Sequence, residues 1–291
     1  MAARCNYGMR VDDTEGNMRH RISDWDDAYA NGPNIPGGDR WPALWVGPAR
    51  EYRQALEEAG HAKLDIRYGD GARNRMDLFL PATEPAGLVV FIHGGFWLRL
   101  DKSYWSHLAR GAVELGYAVA IPSYTLCPEI RIGGITLEVA NAIEQAAELV
   151  AGSIRLIGHS AGGHLATRMI TVTSPLPEEV RSRIVHSVSL SGLHDLRPLM
   201  HTAMNRQLNI DRQEAWRESP ALLEPMQGAR LTCWVGGAER SEFLRQNALL
   251  ANIWKGLGAE TEVVEEPDRH HFNVIDGLAD PRHPLTQTLL S

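Results

Sequence analysis

The pentapeptide Gly158-His159-Ser160-Ala161-Gly162 constrains this chain more than any other stretch. It follows Ile154-Arg155-Leu156-Ile157, which reads as a strand, and it precedes a helical segment over 163–173. A G-x-S-x-G sequence at such a junction predicts a sharp strand-to-helix turn that holds the serine out from the end of a sheet. The flanking glycines leave room where a Cβ would clash. The helix that follows supplies free backbone N–H groups and the positive end of its dipole. A hydroxyl is a poor nucleophile until a base takes its proton, so such a turn calls for a base and a carboxylate elsewhere.

The surrounding pattern supports a sheet of the right kind. Residues 64–68 and 75–80 alternate and read as an antiparallel pair. Leu88–Ile92 is continuously apolar, as in a strand buried on both faces. Strands over 117–122, 154–157, 184–190, 231–235 and 261–265 alternate with helical stretches over 105–115, 136–151, 163–173 and 243–257. That alternation predicts an α/β fold, a mainly parallel sheet of the eight-stranded type with helices on both faces. Residues 61–291 then form one domain, with a cap-like insertion near 193–228 at the sheet edge. Residues 18–60 form an N-terminal arm joined through a Gly- and Pro-rich loop, and 1–17 read as a disordered or upstream extension, Met18 being a second plausible start.

Composition excludes several classes. Formal charge is −7 with no long basic run, which argues against nucleic acid. No apolar stretch approaches the roughly 20 residues of a membrane span, and the polar N-terminus has no secretory pattern. Cys5, Cys127 and Cys233 are widely spaced, which fits reduced thiols in a cytoplasm. No metal-ligand spacing and no dinucleotide fingerprint is present, so neither metal nor cofactor is expected.

Two further stretches complete a reaction centre. His93-Gly94-Gly95-Phe96-Trp97 ends a buried strand, and its backbone N–H groups, with that of Ala161, suit an oxyanion hole. In the chain order Ser, acid, His, the base falls after the last strand, at His271 in preference to its neighbour His270. The acid falls after strand 231–235, at Glu239, with Asp195 as a rival and Asp268 a weaker one, too near His271 in sequence to be a first choice. His93 and His164 read as structural or pocket-lining, and Cys127 as a buried thiol. Phe96, Trp97, Tyr104, Trp105 and Tyr124 cluster near the centre and could line an apolar pocket.

Six segments in order resemble the kynurenine formamidase (arylformamidase) branch of the α/β-hydrolases, near the hormone-sensitive-lipase-like esterases. They are 93–97, 122–128, 158–164, 191–198, 239–243 and 271–272, within a similarity covering roughly 60–280. The resemblance implies Ser160, Glu239 and His271 as a triad, with Gly94, Gly95 and Ala161 near the oxyanion. Glu239 stands where the family usually has Asp, Thr125 where relatives often have Asp, and Phe96 where Tyr is common. The chain is also similar to integron-borne esterases linked to macrolide lactone hydrolysis. The expected partner is a small-molecule ester, lactone or amide. The leading expectation is a serine esterase acting on esters or lactones. An arylformamidase, or a non-catalytic binding protein on the same fold, is the alternative.

Overall fold

The computed structural model describes residues 21–291. The proposed extension 1–17 and Met18 lie outside the described residues. The strands are β1 Ala62–Arg67, β2 Arg75–Phe79, β3 Gly87–Ile92, β4 Ala118–Pro122, β5 Ser153–His159, β6 Ile184–Leu190, β7 Arg230–Gly236 and β8 Glu260–Glu266. They form one sheet in the order β1-β2-β4-β3-β5-β6-β7-β8. β2 runs antiparallel to both β1 and β4, and every other pairing is parallel. Burial follows position in that order: β3 and β4 are buried at every residue, whereas the edge strand β1 alternates.

The helices are α1 Trp25–Tyr29, α2 Trp41–Glu58, α3 Arg110–Glu114, α4 Ile132–Leu149, α5 Ala161–Arg168, α6 Glu178–Arg181, α7 Asn205–Leu208, α8 Arg212–Glu218, α9 Ser241–Gly256 and α10 Pro284–Leu290. Alternate side chains of the central strand β3 feed two separate cores. Leu88, Val90 and Ile92 pack with Ile135 and Val139 of α4, Leu165 of α5 and Phe243 of α9. Val89 and Phe91 pack on the other face with Trp45 and Tyr52 of α2 and with Leu285 and Leu289 of α10. The two faces arise because strand side chains alternate with period two.

Two helices differ from the sequence expectation. The stretch 105–115 is a 3-10 turn, Ser106–Ala109, followed by the short α3, and not one continuous helix. The helix after the serine starts at Ala161 and ends at Arg168, short of residue 173. Beyond it Ile170, Thr171 and Val172 are β-branched and stiff at χ1, and Thr171 makes an isolated antiparallel bridge to Pro225. The stretch 193–228 joins the interior neighbours β6 and β7 and docks on the helical layer. Arg131 pairs with Glu214 at 2.8 Å, Arg168 with Glu218 at 3.0 Å, and Trp254 Nε1 donates to Leu223 O at 3.0 Å.

Candidate active site

Five chain segments leave the C-terminal edge of the sheet side by side. β3 runs into His93-Gly94-Gly95, β5 into Ser160, β6 into Ser191, β7 into Glu239 and β8 into His271. Ligands of open parallel sheets gather at this edge.

Ser160 sits at φ 56°, ψ −118°, a conformation that L-residues adopt only under constraint. The constraint is steric and can be named. A Cβ on Gly158 would lie 1.9 Å from Gly162 O, and one on Gly162 would lie 1.9 Å from Ile92 O. The turn closes only because both positions lack a side chain. Gly162→Ala is therefore expected to destabilise the fold by about 3 kcal/mol or more, since backbone rather than a mobile side chain blocks the new methyl. Urea unfolding measures it, and a loss below about 1 kcal/mol would contradict the packing described.

The loop after β3 carries comparable strain. Phe96, Trp97 and Leu100 all have positive φ, as do Gly95, Ser160 and Ser191. A Cβ on Gly94 would stand 3.0 Å from Ser160 Cβ, so this backbone runs directly against the serine. Arg73 holds the loop from behind, donating to Tyr124 O at 2.7 Å and to Leu100 O at 2.5 Å. Lys102 reaches the fully buried Asp77 at 2.8 Å. As the first residue of α5, Ala161 has an N–H with no partner inside its helix.

His271 Nδ1 and Glu239 Oε2 are 2.6 Å apart, and both side chains are buried. A carboxylate only accepts, so Nδ1 carries the hydrogen and Nε2 is left as the basic nitrogen. The other carboxylate oxygen is tied down as well. Ser191 Oγ donates to Glu239 Oε1 at 2.5 Å and Gly236 N at 2.9 Å. These two donors fix the longer Glu side chain so that Oε2 faces the imidazole. His159 Nε2 lies 2.9 Å from His271 O, and that carbonyl requires His159 to donate. Burial and the nearby His271 hold the His159 pKa well below the ordinary imidazole value, so it is neutral.

A cavity of about 700 Å³ opens over this edge and is lined by Ser160, His159 and His271. Much of its wall comes from residues 26–45 of the N-terminal arm, and from 193–228 only Met204 reaches it. The arm is pinned beside Glu239. Tyr29 donates to Glu242 at 2.7 Å, Asp27 pairs with Arg240, and Asp26 accepts from Ala203 N at 2.6 Å.

The expected pocket aromatics divide. Phe96 and Trp105 line the cavity; Trp97, Tyr104 and Tyr124 do not. Trp97, at φ 58°, turns into the core edge-on to His164 at 5.1 Å. Tyr124 stacks on His93 at 4.2 Å and donates to His93 O at 2.8 Å. Tyr104 packs beside Trp105. Neither rival acid approaches the base: Asp195 pairs with Arg197 at 2.9 Å, and Asp268 occupies a positive-φ turn. His270 packs on Trp41 at 5.1 Å. Burial pushes the Cys127 thiol up to about 12, which removes it as a thiolate. The contacts of Ser191, Arg73 and the arm at the site were not legible in the sequence. For Ser191, its place at the end of a strand next to the one that leads to Glu239 was the available signal.

A parallel sheet with an antiparallel second strand, a strained serine turn and a His–carboxylate pair at its C-terminal edge define an α/β-hydrolase. Comparison with known proteins narrows this. The BD-FAE family model matches residues 76–216. Kynurenine formamidase of Salmo salar is 29% identical over 242 residues, covering 78% of this chain and 80% of that protein. Isoprenylcysteine alpha-carbonyl methylesterase ICME of Arabidopsis thaliana is 31% identical over 74% of this chain and 57% of its own. The crystal structure of a candidate thioesterase from Silicibacter sp. TM1040 superposes with a TM-score of 0.87 at 46% identity, over 91% of this chain and 98% of that one. The chain belongs to the esterase and formamidase-like branch of the α/β-hydrolases.

Proposed function

We propose that this protein is a serine esterase that hydrolyses carboxylic esters or lactones through an acyl-enzyme. The observation that carries the reading is the 2.6 Å contact of His271 Nδ1 with Glu239, with His271 on the wall of the same cavity as Ser160. His271 Nε2 takes the Ser160 proton as Oγ attacks the ester carbonyl. The oxyanion is held by the N–H groups of Ala161 and the Gly94-Gly95 loop. Glu239 stabilises the imidazolium, which then protonates the departing alcohol. Water, activated by the same His271, releases the acid and returns the proton to Ser160.

A cavity of about 700 Å³ is of the size that encloses a drug-sized ligand. This volume supports a bulky ester, and we extend the proposal to macrocyclic lactones of the macrolide type. The formamidase relative supports a second reading, hydrolysis of an aryl formamide such as N-formylkynurenine. Turnover of p-nitrophenyl acetate, N-formylkynurenine and a macrolide lactone, each followed by product mass, separates them. Ester or lactone kcat/KM is expected to exceed that for the formamide by about tenfold or more, a difference of ~1.4 kcal/mol in transition-state binding. A formamide preference would make the chain an arylformamidase. Absence of turnover on all three would favour a binding role.

A further inference from the structure

Within residues 26–34 the polar side chains other than Asn31 tie the arm to the body of the fold or fold it on itself. Asn34 donates to Ala30 O at 2.8 Å and to Asp27 at 3.1 Å, while Tyr29, Asp26 and Asp27 reach the body of the fold. Asn31 lies among them and takes no part in the anchoring. It is only 5% exposed, and neither its Oδ1 nor its Nδ2 has a partner among the described residues. A buried carboxamide without partners is costly and rare, and a group kept at that cost calls for an explanation. Asn31 lines the cavity that holds Ser160 and His271. Two more enclosed donors without partners lie on the same wall, the indole N–H groups of Trp45 and Trp105, whose rings are 4.5 Å apart.

We propose, on the basis of the esterase reading above, that Asn31, set beside the Trp45 and Trp105 rings, forms a substrate subsite. The carboxamide offers two N–H hydrogens and one acceptor oxygen, whereas the indole N–H groups are enclosed in the wall. Such a group suits a neutral segment carrying carbonyl, ether or hydroxyl oxygens, set apart from the scissile bond. A purely hydrocarbon chain would leave the carboxamide unpaired. The carboxamide is set into the wall, so it meets the substrate by turning from one staggered χ1 well to another. The subsite makes the arm, and not the 193–228 insertion, the element that selects the substrate.

The test uses Asn31→Leu in the full chain and two matched ester pairs. One pair is p-nitrophenyl heptanoate and p-nitrophenyl 2-(2-methoxyethoxy)acetate; the other is heptyl benzoate and 2-(2-methoxyethoxy)ethyl benzoate. In at least one pair the ratio of ether to hydrocarbon kcat/KM is expected to fall about tenfold, mainly through KM, as for loss of one buried hydrogen bond. The melting temperature is expected to hold or rise by about 2 °C, because an unpaired buried amide has been removed. Ratios unchanged within about twofold in both pairs would overturn the proposal, as would a melting temperature lowered by several degrees with both members of each pair losing activity equally. A wild type that cleaves p-nitrophenyl acetate in a Ser160-dependent way shows that the esterase reading stands whatever the ratios do. Absence of that cleavage would overturn the reading itself, and the subsite with it.

Discussion

Replacing Ser160 by alanine is expected to lower kcat for any ester substrate by at least about 10⁴-fold, leaving only what binding and the oxyanion donors supply. The fold should survive. The elbow is set by the space at Gly158 and Gly162, and Ser160 N–H donates to Leu190 O at 2.8 Å whatever the side chain is. KM should stay within a few-fold of wild type, because Oγ forms its bond only along the reaction path. Progress curves at high enzyme concentration, with circular dichroism to confirm folding, make the measurement. Residual activity within about tenfold of wild type would remove Ser160 as nucleophile.

Glu239→Gln should be nearly as severe, on the order of 10³–10⁴-fold in kcat, for a reason specific to this site. Ser191 Oγ and Gly236 N both donate to Oε1. A glutamine would therefore place its carbonyl oxygen against those donors and turn its NH₂ toward His271 Nδ1. The amide donates where the carboxylate accepted. The imidazole is then driven to carry its hydrogen on Nε2, the nitrogen that must act as base. The side chain keeps its length and volume, so stability should change little compared with activity. Steady-state kinetics beside a denaturation curve distinguishes this from general damage. A kcat within about tenfold of wild type would mean that Glu239 does not orient the base.

The short-range features of this protein could be read from its sequence. Gly158 and Gly162 announce the elbow because clashes at 1.9 Å act between residues a few positions apart, or against the end of the adjacent strand. Chain order after β7 and β8 then points to Glu239 and His271. The period-two alternation of β1 and the unbroken apolar run of β3 mark an edge and a centre, because burial on one face or two leaves a direct trace in composition. What the tertiary structure decided is what depends on groups far apart in the chain. Tyr29 meets Glu242 across 213 positions, and that contact brings the arm over the cavity. Ser191 reaches Glu239 across 48. Trp97 and Trp105 are both aromatic, both near the site and both buried, yet only Trp105 faces the cavity, while Trp97 packs edge-on to His164 in the core. Local sterics and periodicity are written into neighbouring residues. Which side chains share a cavity depends on how distant segments pack, and no local pattern carries that information.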